Sequence, residues 1–86
     1  MNKIFKYILQ SNQGVLNVPS DFRPLKFACI DRTFVMWGSH SENMESLSTQ
    51  LLYQIVGTGQ AYEPYLTYVD TTFDGPYVWH LLVKKI

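Results

Sequence analysis

The sequence predicts a mainly β fold, a small antiparallel barrel or sandwich of six to seven short strands with at most one short helix. Short apolar runs rich in β-branched and aromatic residues recur at intervals of roughly ten residues, and polar or glycine-containing turns separate them. The connecting segments leave room for no more than one helix, which favours antiparallel pairing over a parallel sheet.

The length of 86 residues predicts a single domain, residues 1–86, because one core leaves too little apolar surface for a second. The hydrophobic fraction of 47% is ordinary, but an aromatic fraction of 15% is high for so short a chain. Thirteen large rings do not all fit inside one small core, counting two Trp, six Tyr and five Phe. Some of them are therefore expected at a protein interface or a ligand surface.

The first half of the chain predicts a four-stranded meander. The turn-forming residues at 11–14 predict a hairpin between the first two strands. In the third strand, Leu25, Phe27 and Cys29 are expected to face the core if Lys26 faces solvent. The four predicted strands cover residues 3–9, 15–18, 25–30 and 34–38, with a loop or helical turn at 20–24 and a tight turn at 31–33.

Residues 39–56 allow two interpretations. The capping-box spacing from Ser39 to Glu42 and the helical spacing of apolar residues between Met44 and Ile55 favour a helix. The β-branched end of 50–56, which runs into a glycine turn, favours a polar loop at 39–48 followed by a fifth strand, and this second interpretation is preferred. It assigns His40 to the loop.

The last third predicts two more strands, at 66–72 and 77–83. A loop with Tyr62 and Tyr65 at its ends precedes the first of them, and Asp74-Gly75-Pro76 makes the turn between the two.

Composition excludes several classes of function. Seven basic and seven acidic side chains give a net charge of zero, which argues against binding of extended nucleic acid. The single cysteine, Cys29, excludes a disulfide framework and a cysteine zinc site, and His40 and His80 are too differently placed for a metal site. No signal peptide or membrane-spanning run is apparent, so the expectation is a cytoplasmic protein without a metal or cofactor.

The candidate ligand-binding residues cluster around a glycine turn. Gly57-Thr58-Gly59 is able to present backbone N–H groups and the Thr58 hydroxyl to an anion, although a simple reversal between strands explains the same glycines. The following loop carries Tyr62 and Tyr65, whose rings suit stacking on a base or contact with another subunit.

Other candidates have structural interpretations beside the functional ones. Arg32 is suited to clamp a phosphate, or is a solvated turn residue. Trp37 and Trp79 are expected as core or interface anchors, and His80 should face the side of its strand opposite to Trp79. No Ser, Cys or Asp stands beside His80 in sequence to form a triad, so the protein is not expected to be an enzyme.

Four segments taken together resemble a family of small, uncharacterised tailed-bacteriophage proteins. They are Ile4-Phe5-Lys6-Tyr7, Val35-Met36-Trp37, Val56-Gly57-Thr58-Gly59 and Val78-Trp79-His80. That family has Gly-Thr-Gly-His at the turn, where this chain has Gln60, and an amide does not replace a histidine as catalytic base or metal ligand. The resemblance implies a protein of the infected bacterial cytoplasm and no established activity.

Two functional hypotheses follow. The first is a non-catalytic phage accessory protein, with counter-defence as a candidate role, that forms a homo-oligomer and sequesters a small anionic ligand such as an immune signalling nucleotide in pockets between subunits. Its ligand-binding residues are predicted as Gly57, Thr58, Gly59, Gln60, Tyr62, Tyr65 and Arg32. The alternative is a protein–protein inhibitor of a host defence factor or a virion accessory protein, without a small ligand.

Overall fold

The computed structural model describes residues 1–42 and 48–86 and has seven antiparallel strands in two sheets, which confirms the predicted mainly β class. The strands are β1 (Asn2–Leu9), β2 (Gln13–Pro19), β3 (Arg23–Ile30), β4 (Thr33–Ser41), β5 (Ser48–Gly57), β6 (Thr67–Asp74) and β7 (Tyr77–Lys85). The described residues contain no helix, and thus none able to cross a membrane.

The predicted hairpin between the first two strands is wrong. The three-stranded sheet has the order β1-β4-β3 and the four-stranded sheet the order β2-β5-β7-β6, so β1 and β2 belong to different sheets. The turn between them is tied to β5 instead, because the Ile55 N–H donates to the carbonyl of Asn12 at 2.7 Å. Turn residues specify a reversal of the chain but not the partner of the next strand, which long-range packing selects.

The core lies between the inner faces of the two sheets, and one ring enters it from a turn. Phe22, between β2 and β3, is completely buried, and its N–H donates to the carbonyl of Pro19. Its ring lies against Gly38, where a Cβ atom would come within 2.1 Å of it. The buried core residues are Leu9, Val18, Phe22, Phe27, Met36, Leu51, Tyr53, Ile55, Leu81 and Val83.

In the third strand, the expected inward position of Leu25 is wrong. The register of β3 on β4 shifts between Pro24 and Lys26, and Leu25, at the shift, is 48% exposed. Phe27 is buried and Cys29 partly buried, as the alternation predicts. A bulge adds one residue to a strand and changes the face of the residues before it, which alternation alone does not reveal.

The predicted loop at 39–48 is wrong for its first residues, because β4 continues to Ser41 and buries His40. The imidazole stacks on Phe5 at 4.1 Å between ring centroids. Its Nδ1–H donates to the carbonyl of Ser41 (2.8 Å), so Nε2 accepts from the Tyr7 hydroxyl (3.1 Å). Burial raises the pKa of that tyrosine. Residues 43–47, including part of the proposed helix, lie outside the described residues.

The two sheets are joined along one side by side chains. The Phe27 N–H donates to Asp70 Oδ2 (3.0 Å) and the Cys29 N–H to Thr72 Oγ1 (3.3 Å). Asp70 also accepts from the Thr71 N–H at 2.9 Å. The edges of β3 and β6 are therefore closed against each other without a backbone ladder, which satisfies donors that an edge strand leaves unpaired.

We expect Gly38→Ala to lower the free energy of unfolding by about 3 kcal/mol, because the added methyl group overlaps the buried Phe22 ring. Urea denaturation followed by tryptophan fluorescence measures the loss. Gly57→Ala is the matched control, since a Cβ there has no neighbour closer than 3.4 Å. Adding Phe22→Leu should recover part of the loss, and a full loss in the double variant would contradict the proposed contact.

We expect Asp70→Ala to destabilise the fold by about 2 kcal/mol, because it leaves the N–H groups of Phe27 and Thr71 without their acceptor in a partly buried seam. The same denaturation assay applies. Glu63→Ala removes a carboxylate from an exposed loop and should change stability by less than about 0.5 kcal/mol. Equal effects of the two substitutions would show that the seam adds nothing.

Candidate functional site

The candidate site lies on the outer face of the four-stranded sheet, the face turned away from the core. Two side chains on this face, Val56 and Leu82, are 6% and 2% exposed although neither belongs to the core cluster. The connection from β5 to β6, residues 58–66, covers them. A strand face that would otherwise meet solvent therefore becomes the floor of a pocket.

The pocket has a volume of about 300 Å³ and is open on one side. Val56 and Leu82 form an apolar floor, and hydroxyl, imidazole and amide groups form the walls. The lining residues are Val56, Gly57, Thr58, Gly59, Gln60, Tyr62, Tyr68, His80 and Leu82. None of these residues is Lys, Arg, Asp or Glu, so recognition here depends on rings and hydrogen bonds.

The Gly-Thr-Gly segment forms a closed turn at the mouth of the pocket. The Gln60 N–H donates to the carbonyl of Gly57 at 3.1 Å, and Gly59 has φ of 88°, which gives a type II turn that requires glycine at this position. The Gln60 Oε1 accepts from the Gly57 N–H at 2.5 Å. The N–H groups of Thr58 and Gly59 have no partner among the described residues and are the donors that the turn offers to a ligand.

A chain of hydrogen bonds crosses the pocket wall and centres on His80. The Nε2 atom lies 2.8 Å from the Thr58 hydroxyl, and the Nδ1 atom lies 2.8 Å from the hydroxyl of Thr71. The Tyr68 hydroxyl continues the chain, 2.5 Å from Thr71 Oγ1. Because each hydroxyl both donates and accepts, the network accommodates either imidazole tautomer and is able to present a donor or an acceptor at Thr58.

Strand register brings these residues together. His80 on β7 lies opposite Val56 on one side and Thr71 on the other, and Leu82 lies opposite Tyr68. Tyr68 and Thr71 are three residues apart and would normally face opposite sides of a strand. The register shift in β6 between Tyr68 and Asp70 inserts Val69 and returns both side chains to the outer face.

Five of the residues predicted to bind a ligand line this one pocket: Gly57, Thr58, Gly59, Gln60 and Tyr62. His80, predicted as a core or interface residue, also lines it and faces away from Trp79 as expected. Sequence reasoning allowed Tyr68 as a stacking ring but favoured its packing on the sheet, and it missed Thr71 as a site residue. Their place depends on the β6 bulge, for which the sequence carries no clear signal.

Two predicted ligand residues lie outside the pocket. Tyr65 lines a separate depression between β2 and β5, and Lys84 Nζ lies 5.9 Å from the centre of its ring. Arg32 is the second residue of the tight turn between β3 and β4, at φ of 63°, and lines a different depression beside residues 8–12. Within one chain, therefore, neither Tyr65 nor Arg32 lies at the Gly-Thr-Gly turn.

Of the two tryptophans, one lies on an inner face and one on an outer face of the sandwich. Trp79 packs against the core with its ring edge on Phe34, at 5.7 Å between centroids, and its buried Nε1 has no hydrogen-bond partner among the described residues. Trp37 is partly buried, and its pairing with Lys6 and Lys26 puts it on the outer face of the three-stranded sheet. No group of three or more metal-binding side chains occurs within residues 1–42 and 48–86.

The thiol of the one cysteine has a raised pKa. Burial raises the pKa of the Cys29 thiol, and the nearby Asp74 carboxylate raises it further through its charge and a hydrogen bond, while a backbone hydrogen bond from Arg32 acts in the opposite direction. Since the thiolate is the nucleophile, a raised pKa lowers the reactive fraction at any pH below it.

We expect Cys29 in the folded protein to react with iodoacetamide at pH 8 more slowly than in urea-unfolded protein, because less thiolate is present. Asp74→Asn removes the nearby charge and should accelerate the reaction. Mass spectrometry of quenched samples gives the rates. Asp31→Asn is a control at the neighbouring turn, and an Asp74→Asn rate equal to the wild-type rate would contradict the electrostatic cause.

The comparisons with known proteins give a family but no activity. No curated protein and no solved structure matches the chain. A family model described as Domain of unknown function (DUF7352) matches residues 1–86, so the chain belongs to that family.

Proposed function

We propose that this DUF7352 domain is a non-catalytic binding protein that holds the base of a small nucleotide in the pocket beside the Gly-Thr-Gly turn. The observation that carries the proposal is the composition of the lining: two tyrosine rings and a Thr58–His80 hydrogen-bonded pair stand around an apolar floor, with no Lys, Arg, Asp or Glu among them. A planar heterocycle with donors and acceptors on its edge suits such a surface.

The rings supply the area for stacking. Tyr62 and Tyr68 are 51% and 55% exposed, so both have free surface toward the pocket opening. Tyr68 is also held in place, because its hydroxyl bonds to Thr71. A ring whose position is already restricted loses little conformational entropy when a base stacks on it.

The turn supplies the contact for an anionic group. The N–H groups of Thr58 and Gly59 belong to a tight turn and have no partner among the described residues, so each is able to donate to a phosphate or carboxylate oxygen. Because no Lys or Arg lines the pocket, one phosphate near the turn is favoured over an extended polyphosphate.

The geometry around His80 favours binding over catalysis. Its distance to the Thr58 hydroxyl matches a nucleophile and its base, but the group on Nδ1 is a hydroxyl. A hydroxyl does not stabilise an imidazolium as a carboxylate does. The open pocket also does not exclude the water that would compete in the reaction.

The resemblance to phage proteins supports a biological setting for this activity. In an infected bacterial cell, a protein that binds a signalling nucleotide tightly and does not turn it over removes it from its receptor. Sequestration of an immune messenger is therefore the role we propose. It requires neither Arg32 nor Tyr65, and its pocket is formed within one chain.

We expect adenosine, AMP or a cyclic adenosine dinucleotide to bind, and Tyr62→Ala to weaken binding at least about tenfold through loss of stacking. Thr58→Val removes one hydroxyl with little change in shape and should weaken it about fivefold. Isothermal titration calorimetry measures both effects. No heat and no native-mass adduct with any of the three probes would reject the proposal for nucleotides.

Tyr65→Ala is the matched control, because it removes a tyrosine with nearly the same exposure from the same connection but from another depression. Arg32→Gly is a second control, and glycine suits its positive φ. Both variants should bind as the wild type does. A loss in Tyr65→Ala equal to that in Tyr62→Ala would move the site away from the pocket.

A further inference from the structure

The outer edge of β1 is unpaired along the described strands. β1 is eight residues long and, of the described strands, is hydrogen-bonded only to β4, whereas the edge of β3 at the other side of its sheet is met by Asp70 and Thr72 of β6. An edge strand of this length presents backbone donors and acceptors to any extended chain that approaches.

The outer face of the same sheet is both apolar and cationic. Ile4, Ile8 and Ile30 are 66%, 53% and 50% exposed, and strand register places them on this face with the partly buried Trp37. Its charged side chains are Arg23, Lys6 and Lys26, and no carboxylate lies on this face of the three strands. We call this set, Ile4, Lys6, Ile8, Arg23, Lys26, Ile30 and Trp37, the cationic face.

The cations on this face are not neutralised within the described chain. The ion pair that the described residues form joins Lys3 to Glu42, not Lys6, Arg23 or Lys26. Lys6 and Lys26 lie directly opposite Trp37 on its two neighbouring strands. A partner that covers Trp37 must therefore meet positive charge on both sides of the ring.

We propose that β1 and the cationic face bind an extended segment of a partner protein, added to the sheet as a fourth strand, with the pattern apolar–x–acidic–x–apolar. In an antiparallel register, its two apolar residues lie opposite Ile4 and Ile8, and its carboxylate lies opposite Lys6. This interaction is independent of the nucleotide pocket, which lies on the other sheet.

A second copy of this chain fits the edge poorly. In a symmetric antiparallel pairing of β1 with itself, the register that places Ile4 opposite Ile8 also places Lys6 opposite Lys6. Like charges directly opposite each other destabilise a strand pair. The lysine thus disfavours self-pairing and selects a partner with a carboxylate at the same position.

An extended peptide uses features that other anionic surfaces do not. Lipid headgroups neutralise lysines but do not pair with backbone donors and acceptors along an edge strand. Single-stranded nucleic acid stacks on several aromatic rings, whereas this face has one ring and three exposed isoleucines. The unpaired edge together with the aliphatic surface favours the peptide.

The test uses a synthetic peptide, Thr-Thr-Ile-Thr-Glu-Thr-Ile-Thr-Thr, and the full chain. Calorimetry should detect binding, and amide NMR shifts should map to β1 and to the Trp37 indole. Lys6→Glu should weaken binding roughly tenfold, because it replaces an attraction with a repulsion across the strand pair. A peptide with Lys in place of Glu should show the opposite preference and bind Lys6→Glu better than the wild type.

Lys84→Glu is the matched control, with the same charge change on the other sheet, and should bind the Glu peptide as the wild type does. Circular dichroism verifies folding of both variants. Absence of peptide binding would overturn the proposal. Equal affinities of the Glu peptide and the Lys peptide for the wild type would overturn it as well. Binding of phosphatidylglycerol vesicles or oligothymidine that is lost in Lys6→Glu, with the peptide unbound, would reassign the face.

Discussion

The one-residue bulge in β6 is the constraint on which both the closure of the sandwich and the candidate site depend. Inserting Val69 sends Asp70 and Thr72 inward, where they accept hydrogen bonds from the edge of β3. It also returns Tyr68 and Thr71 to the outer face beside His80. A regular strand would satisfy only one of these two requirements, because alternation assigns residues three apart to opposite faces.

Where β3 meets β6, hydrogen bonds to side chains replace the ladder of backbone hydrogen bonds that would join two paired strands. Closure by Asp70 and Thr72 protects the edges of β3 and β6, while the outer edge of β1 has no partner strand within residues 1–42 and 48–86. Among the described residues, one side of the sandwich is thus closed by polar side chains, and the other side presents the β1 edge. The chain switches sheets between β1 and β2 and again between β2 and β3, and Phe22 in this second connection packs into the core against Gly38.

The two surfaces we propose to be functional differ in their chemistry because they lie on different sheets. The pocket is formed where the nine-residue connection from β5 to β6 covers apolar residues of β5 and β7, and its polar groups are linked to one another. The cationic face has no such cover among the described residues, and its lysines flank a tryptophan. One surface suits a small planar ligand and the other suits an extended acidic chain.

Local patterns in the sequence determined most of the strands, the tight turn at Asp31 and Arg32, and the clustering of Gly57 to Tyr62 around one turn, because alternation and turn chemistry act between near neighbours. They did not determine that β1 and β2 separate into two sheets, that β4 continues through His40, or that Leu25 faces out. Nor did they bring Tyr68, Thr71 and His80 together. Those features depend on which distant strands pair and in which register, and only the packing of the complete chain selects between registers.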